Sequence, residues 1–366
     1  MTPAGDGPLA AWADVLARMP DPTAGDQVEE FEAELAHRFG AGHAVATSSG
    51  TTALHLAMAG LGIGPGDEVL VPAVSVVMSA APVIHTGARP VFVDCAPDGA
   101  GFDLTDLAAK SGSATAAILP VHLWGRCGDP AGLTALADQI GVPVIEDACQ
   151  AQGTRSGDRH AGTTATGGCF SLKDGKILWS GEGGYLLTDD PVLAADCRAL
   201  RSHWQAPPPG QAPLSRVGYN YRLAEPLAAL ARANLARFDD LLARRQLQAH
   251  LLMDGFADAP GMHPIPPTPG QTWNGYCGLA RLTLDRPREF CRHLADLGVP
   301  NSVGTFHLVP TDRRPPFTDA DTTPCPRAAG IIDTTLAVVL TDHDNDDRIA
   351  GYAQTIIREA HRWPRR

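Results

Sequence analysis

The sequence predicts an α/β protein whose largely parallel sheet is sandwiched by helices, followed by a smaller α+β domain toward the C-terminus. Three observations carry that prediction. Four short Val- and Ile-rich runs recur between residues 67 and 148, apolar on both sides of each core position, as in strands covered on both faces. Helical stretches separate them, which implies right-handed βαβ crossovers. The chain has 366 residues, enough for two domains.

In chain order, the spacing of Val28, Phe31, Leu35 and Phe39 predicts a helix over 27–38, with Asp26 as its N-cap. A second helical stretch covers 51–61 and is closed by Gly62. The four strand-like runs are DEVLVP (67–72), RPVFVDC (89–95), AAILPVH (116–122) and VPVIEDA (142–148), each bounded by Gly, Pro or Asp. After residue 165 the pattern changes: GGCFSL (167–172) and GGYLLT (183–188) read as two more strands joined by a loop. A long helix is expected over 223–247. The Pro-rich segment APPPGQAP (206–213) reads as an irregular surface loop, and PIPPTPG (264–270) as the entry to the smaller domain. The expected division is residues 1–249 for the large domain and 250–366 for the small one, closed by a helix near 344–361. No internal repeat is visible.

Composition narrows the function. Hydrophobic residues make up 44% and charged residues 19%, which fits a soluble protein with a large core. The formal charge is −12 and no Lys/Arg run is long enough to track a phosphate backbone, so no nucleic-acid partner is expected. The one basic cluster, HRWPRR (361–366), reads as a solvated tail. No apolar stretch reaches the length of a membrane span. The first twenty residues lack the charged start and apolar run of a signal peptide. The eight cysteines are scattered, with no CxxC pair, so neither a disulfide framework nor a zinc site is expected, and a reducing cytoplasm fits best.

Four segments carry chemistry. SLKDGKILWSGEGG (171–184) places Lys176 five residues before a glycine-rich turn. A lysine held there can act as a Schiff-base nucleophile; taken alone, the segment reads first as a glycine-rich hairpin with a surface lysine. VIEDACQAQG (144–153) puts a carboxylate at the C-terminal end of a buried strand, where open α/β sheets bind ligands. Glu146 and Asp147 are neighbours and point to opposite faces, so at most one serves a given pocket; a helix N-cap is the competing reading. ATSSGTTALHLAM (46–58) sets Ser, Gly and Thr before an apolar helix, an anion-binding N-terminus or a plain cap. GYNYRLAEPLAAL (218–230) puts Asn220 and Arg222 ahead of a long helix, which Asn220 could cap.

In this order and spacing, the four segments resemble the DegT/DnrJ/EryC1/StrS family of sugar and cyclitol aminotransferases, closely over residues 25–250 and loosely beyond. The lysine segment is the most specific: Ser171 lies five residues before Lys176, and Gly181-Glu182-Gly183-Gly184 begins five after it. Lys173 stands at the wrong distance from both landmarks. The FSxxxGK form and VPNSVGTFHLVPTD (299–312) resemble the 3-amino-5-hydroxybenzoate synthase branch; Gln150 resembles the scyllo-inosose aminotransferase branch.

The resemblance implies the type I aminotransferase fold, pyridoxal 5′-phosphate as cofactor and no metal. By position it makes Lys176 the Schiff-base lysine and proton shuttle. Asp147 pairs with the pyridine nitrogen and Gln150 touches the phenolic oxygen of the ring. Gly50, Thr51 and Ser171 hold the phosphate, and Asn220 reaches the phosphate of a neighbouring subunit in a homodimer with shared sites. Arg222 has a less defined role on the same segment. Relatives place an aromatic residue over the cofactor ring in a PxxTxxx segment, whereas PAVSVVMSA (72–80) offers Ser75 and Val76. Val76 gives apolar contact without an aromatic face. The expected reaction moves an amino group from glutamine or glutamate to a keto-sugar or keto-cyclitol in secondary-metabolite biosynthesis. The competing readings are elimination, dehydration or decarboxylation on the same scaffold, and a non-catalytic protein that keeps the fold. His122 and His307 are secondary substrate-contact candidates; Trp124, Trp179 and Tyr219 read first as packing residues.

Overall fold

The computed structural model describes residues 25–318 and 324–364, together with residues 13, 16 and 17. Most of the N-terminal twenty residues and the last two arginines of the basic tail lie outside the described residues.

Seven strands make the central sheet. They are β1 (His43–Thr47), β2 (Glu68–Pro72), β3 (Arg89–Val93), β4 (Thr115–Ile118), β5 (Ile145–Asp147), β8 (Gly167–Ser171) and β9 (Gly184–Thr188). β3, β2 and β4 pair in parallel, as do β5 and β8. The parallel bridges Ile118–Val144 and Val121–Asp147 join the two groups, giving the order β3-β2-β4-β5-β8-β9-β1. Only β9 runs against its neighbours. The predicted strands fall within four residues of these limits, the largest difference being at the end of β4. β1 was not predicted: HAVAT has one strong strand former, and it is a strand because five residues pair with β9, more than 130 positions away in sequence by the registers His43–Thr188 to Thr47–Gly184.

Because β1, β2, β4, β5 and β8 all point the same way, the loops after them emerge at one edge of the sheet. The helix Gly50–Gly60 starts there. Ser49 caps it reciprocally: its Oγ accepts from Thr52 N at 3.1 Å, and its own N–H donates to Thr52 Oγ1 at 3.0 Å. Glu32 of the helix Gln27–Phe39 holds β1, the strand that leads into the helix Gly50–Gly60. Its buried carboxylate accepts from Ala46 N at 2.9 Å, Arg198 Nε at 3.1 Å and Arg201 Nη1 at 2.5 Å, tying that helix to β1 and to the helix Pro191–Arg201. Asp26 stands at the N-cap but its carboxylate takes only the Gln27 amide; Val28 N–H donates instead to Glu225 Oε2 of a distant helix at 3.2 Å.

The expected long helix is two helices, Glu225–Leu235 and Phe238–Ala257, parted at Ala236 and Arg237. No Gly or Pro marks the break. The first helix buries Ala228, Ala231 and Leu235 with Phe31, Phe170 and Tyr185; the second buries Leu252, Met253 and Phe256 among the C-terminal strands. Phe238 and Leu241, just after the break, still pack in the cluster of the first helix, so the change from one core to the other comes within the second helix. The second helix runs through residue 250, packs on an antiparallel sheet of β10 (Met262–Pro264), β12 (Cys277–Leu282) and β13 (Thr335–Val339), and lies against the helix Asp346–Arg362. A small hairpin, β6 (Arg155–Ser156) and β7 (Arg159–His160), pairs with β11 (Gln271–Thr272) and links the two halves.

Candidate active site

Three lysines occur in the chain: Lys110, Lys173 and Lys176. Lys110 is engaged with Asp106 at 2.8 Å and Lys173 is exposed. Lys176 is half-buried, and its Nζ donates to the Tyr276 hydroxyl at 3.2 Å. The loop that carries it is stiff. Leu172 and Asp174 N–H groups donate to Gly183 and Gly181 carbonyls, and Ser180 N–H returns to Leu172 O at 2.8 Å. Gly175 and Gly181 sit at φ near 86° and 87°, where a side chain would be strained. Gln152, fully buried, closes the loop: its amide donates to Ser171 O at 3.0 Å and Leu178 O at 3.1 Å and accepts from Leu178 N at 3.0 Å.

Asp147 and Glu146 do diverge. Asp147 is buried, accepting from Ser79 Oγ at 2.6 Å and from Cys149 N at 3.1 Å. Glu146 faces the other side of the sheet and is fully used there by Gly162 N, Thr164 N, Thr164 Oγ1 and His122 Nε2, the last at 2.7 Å. Burial pulls His122 down, but Cys127 and Glu146 outweigh it and hold the imidazole well above the usual histidine range. Burial pushes Glu146 up; His122 and the Gly162 and Thr164 donors outweigh that and hold it below the usual range. The pair is therefore ionised, and its contribution has two edges. The Glu146 part is present above an unfolded value near 4.5 and is lost as pH falls through its lower folded value; the His122 part is present below an unfolded value near 6.5 and is lost as pH rises through its higher folded value. The stability deficit of His122→Asn, measured by urea unfolding across pH, is expected to be largest between those two values and to shrink on either side.

The helix Gly50–Gly60 reaches the same edge as Asp147 and Ser171. A Cβ on Gly50 would come within 2.6 Å of Cys149 Sγ and 3.0 Å of Ser171 Cβ, and one on Gly184 within 2.3 Å of the Ser49 carbonyl carbon. Only glycine lets the helix start sit so close. Ser49 takes the N–H groups of Thr52 and Ala53, which leaves those of Gly50 and Thr51 beside the Ser171 hydroxyl. Gln150 accepts from Trp124 N at 2.8 Å through its carbonyl oxygen, so its amide N–H groups remain for a ligand.

The sequence profile of the DegT/DnrJ/EryC1/StrS aminotransferase family matches residues 13–356. The chain belongs to this family. Among its relatives, it is 40% identical over 224 residues to the GDP-perosamine synthase of Caulobacter vibrioides, covering 60% of this chain and 59% of that protein. It is 37% identical over 297 residues to the dTDP-3-amino-3,4,6-trideoxy-alpha-D-glucose transaminase of Streptomyces venezuelae, covering 80% and 76%. It is 39% identical over 264 residues to the L-glutamine:2-deoxy-scyllo-inosose aminotransferase of Streptomyces kanamyceticus, covering 68% and 61%. The chain thus spans about three fifths of the length of two of these relatives. The crystal structure of DesV from S. venezuelae shares the fold at TM-score 0.85 and 32% identity, covering 96% of this chain and 94% of that one. Spr1654 of Streptococcus pneumoniae, solved in its PLP form, shares the fold at TM-score 0.88 and 23% identity, covering 97% and 96%. The aminotransferase fold implied by the sequence motifs is the fold of the protein.

Within this family member, the remaining sequence candidates separate. Asn220 and Arg222 are exposed, on a segment pinned to the helix Gly50–Gly60 by Ser48 N to Tyr221 O and by the Tyr221 hydroxyl to His55 Nδ1 at 3.1 Å. Among the described residues, the side-chain hydrogen bonds of Lys176 and Asp147 go to Tyr276, Ser79 and Cys149 and not to Asn220. Val76 is half-buried and begins the helix Val77–Thr86, which carries Ser79. Ser75 donates to Pro72 O at 2.7 Å and meets Thr311 Oγ1 at 2.9 Å, so its hydroxyl locks the 72–76 loop to the 299–312 loop. Trp124 is buried in the core, Trp179 is anchored to Asp342 at 2.9 Å, Tyr219 stacks on Tyr221, and His307 is exposed. Ser79, Gln152, Asn274 and Tyr276 were not read from the sequence. Ser79 and Gln152 had a signal, since each lies in a segment already singled out, 72–80 and 144–153; Asn274 and Tyr276 lie in no recognisable pattern.

Proposed function

We propose that the chain is a pyridoxal-phosphate-dependent aminotransferase that moves an amino group from glutamine or glutamate to a keto-sugar or keto-cyclitol. The observation that carries this reading is one sheet edge that combines a half-buried amine, a buried carboxylate and an anion cradle. Asp147 lies close enough to Lys176 for its charge to act on it. The residues fit the cofactor. Gly50, Thr51 and Ser171 suit its phosphate, since the helix start is open and a Cβ at Gly50 would close it. Asp147, oriented by Ser79, suits the ring nitrogen, and the free amide of Gln150 suits the phenolic oxygen. When bound, the pyridoxal ring supplies an electron sink for the pair left on a deprotonated carbon. The chain's own residues do the rest: Asp147 keeps a proton on the ring nitrogen, and Lys176 takes and returns the moving proton.

Two copies are proposed to share their sites. Asn220 is exposed on a loop where Leu214 and Val217 are 69% and 89% exposed, a surface that a second copy would cover. A cytoplasmic setting is proposed from the scattered spacing of the eight cysteines, none of them in a CxxC pair. A second reading, elimination, dehydration or decarboxylation, rests on Val76 standing where relatives place an aromatic ring.

The half-reaction separates the two. Glutamine or glutamate alone, added to the cofactor-loaded protein, is expected to bleach its visible absorbance. No bleaching with any common amino donor overturns aminotransfer; conversion of a single amino substrate without a keto acceptor favours the second reading.

A further inference from the structure

We propose that Tyr276 is a positioning residue for Lys176: its hydroxyl accepts a hydrogen bond from the free lysine amine and holds it beside Asp147. The proposal rests on the reading of Lys176 as the reactive amine. The distance from Nζ to the Tyr276 oxygen is 3.2 Å, and at 5.1 Å from the ring centroid the amine lies out beyond the hydroxyl, so the hydroxyl is the group that meets it.

This contact is built from both sides by a single loop. Residues 150–154 follow the Asp147 strand. Gln152 in that loop holds the lysine segment through Ser171 O, Leu178 O and Leu178 N. The carbonyls of Gln150 and Gln152 accept from Asn274 Nδ2 at 2.9 and 3.0 Å, and Thr154 Oγ1 accepts from Asn274 N at 3.3 Å. Asn274, fully buried, in turn accepts from Tyr276 N at 3.1 Å. Gly275 between them sits at φ near 69°, and a Cβ there would lie 2.7 Å from Arg245 O. The tyrosine thus leads into β12, a strand of the C-terminal sheet, yet its position relative to Lys176 is set by the loop that also sets the lysine.

The charged and titratable groups around the pair are Asp147 and Cys149 from the β5 side and Arg245 from the helix Phe238–Ala257, which faces Tyr276. Burial pulls Lys176 down, but Tyr276, Cys149 and Asp147 outweigh it and hold the amine above the usual lysine value. A free amine held in this way stays protonated at neutral pH. It is a fixed proton donor at the site whenever it is not covalently engaged.

The small number of lysines makes this testable without turnover. Reductive methylation of the cofactor-free full chain with ¹³C-formaldehyde gives side-chain signals from Lys110, Lys173 and Lys176 only. Assignment uses Lys176→Arg. In the wild type, the Lys176 methyl signal is expected to show NOEs to the Tyr276 ring protons. In Tyr276→Phe, which keeps the ring, its titration midpoint is expected to fall by about one pH unit, while Lys110 and Lys173 do not move. The pH profile of pyridoxal phosphate capture should shift by the same amount in the same direction. An unchanged Lys176 midpoint in a variant with wild-type circular dichroism, or no NOE to the ring in the wild type, overturns the proposal. A shifted midpoint in a protein that captures no pyridoxal phosphate supports this contact and overturns the cofactor reading. Normal capture with an unmoved midpoint does the reverse.

Discussion

Lys176→Ala is expected to reduce turnover by on the order of 10⁴-fold or more, the scale of losing a covalent and proton-transferring group together. Borohydride reduction of the cofactor-loaded wild type should fix the cofactor's mass on the peptide that carries Lys176, and mass spectrometry should find none on that peptide in the variant. The other two lysines provide the control. Lys110 is tied to Asp106 on its own helix and Lys173 is exposed, so Lys173→Ala should leave both turnover and labelling intact. Loss of stability does not explain the expected defect. Lys176 makes one side-chain hydrogen bond, to Tyr276, and its removal should change unfolding in urea by about 1 kcal/mol or less. Full turnover in a folded Lys176→Ala protein would remove the proposed chemistry altogether.

The second large effect is expected at Asp147. Asp147→Asn keeps shape, and its carbonyl oxygen can still accept from Cys149 N–H. The change removes the negative charge and turns the oxygen that accepts from Ser79 into an amide donor, which Ser79 must meet by turning its hydroxyl. Turnover is expected to fall by roughly 10²–10³-fold, the size of effect seen when one preorganised electrostatic partner is removed. The absorbance of the bound cofactor should shift as well, because the charge opposite its ring nitrogen is gone. Unchanged kinetics in Asp147→Asn would count against the assignment. Glu146, one residue away, should behave in the opposite manner. Its carboxylate is consumed by four donors on the far side of the sheet, so changes there act on folding.

What the sequence determined is what local chemistry determines. Apolar runs with Gly, Pro and Asp at their ends located six of the seven central strands, and Ser49 before an apolar stretch located the start of the helix Gly50–Gly60. The spacing of Ser171, Lys176 and the GEGG turn singled out one lysine of two on the same loop. Alternation along a strand required Glu146 and Asp147 to part company, and they do. The face that became the site was decided by tertiary packing, because alternation is symmetric: only the arrival of Ser79 on one side and of His122, Gly162 and Thr164 on the other distinguishes the two carboxylates. The same is true of the groups that hold the site. Ser79 meets Asp147 across 68 residues of sequence, and Lys176 meets Tyr276 across 100. The edge strand β1 has the same origin, since pairing with β9 overrode weak local preference. Periodicity and turn residues report on neighbours within a few positions; contacts between distant segments depend on how whole elements pack, and that is where Tyr276, Gln152 and Asn274 acquire their places.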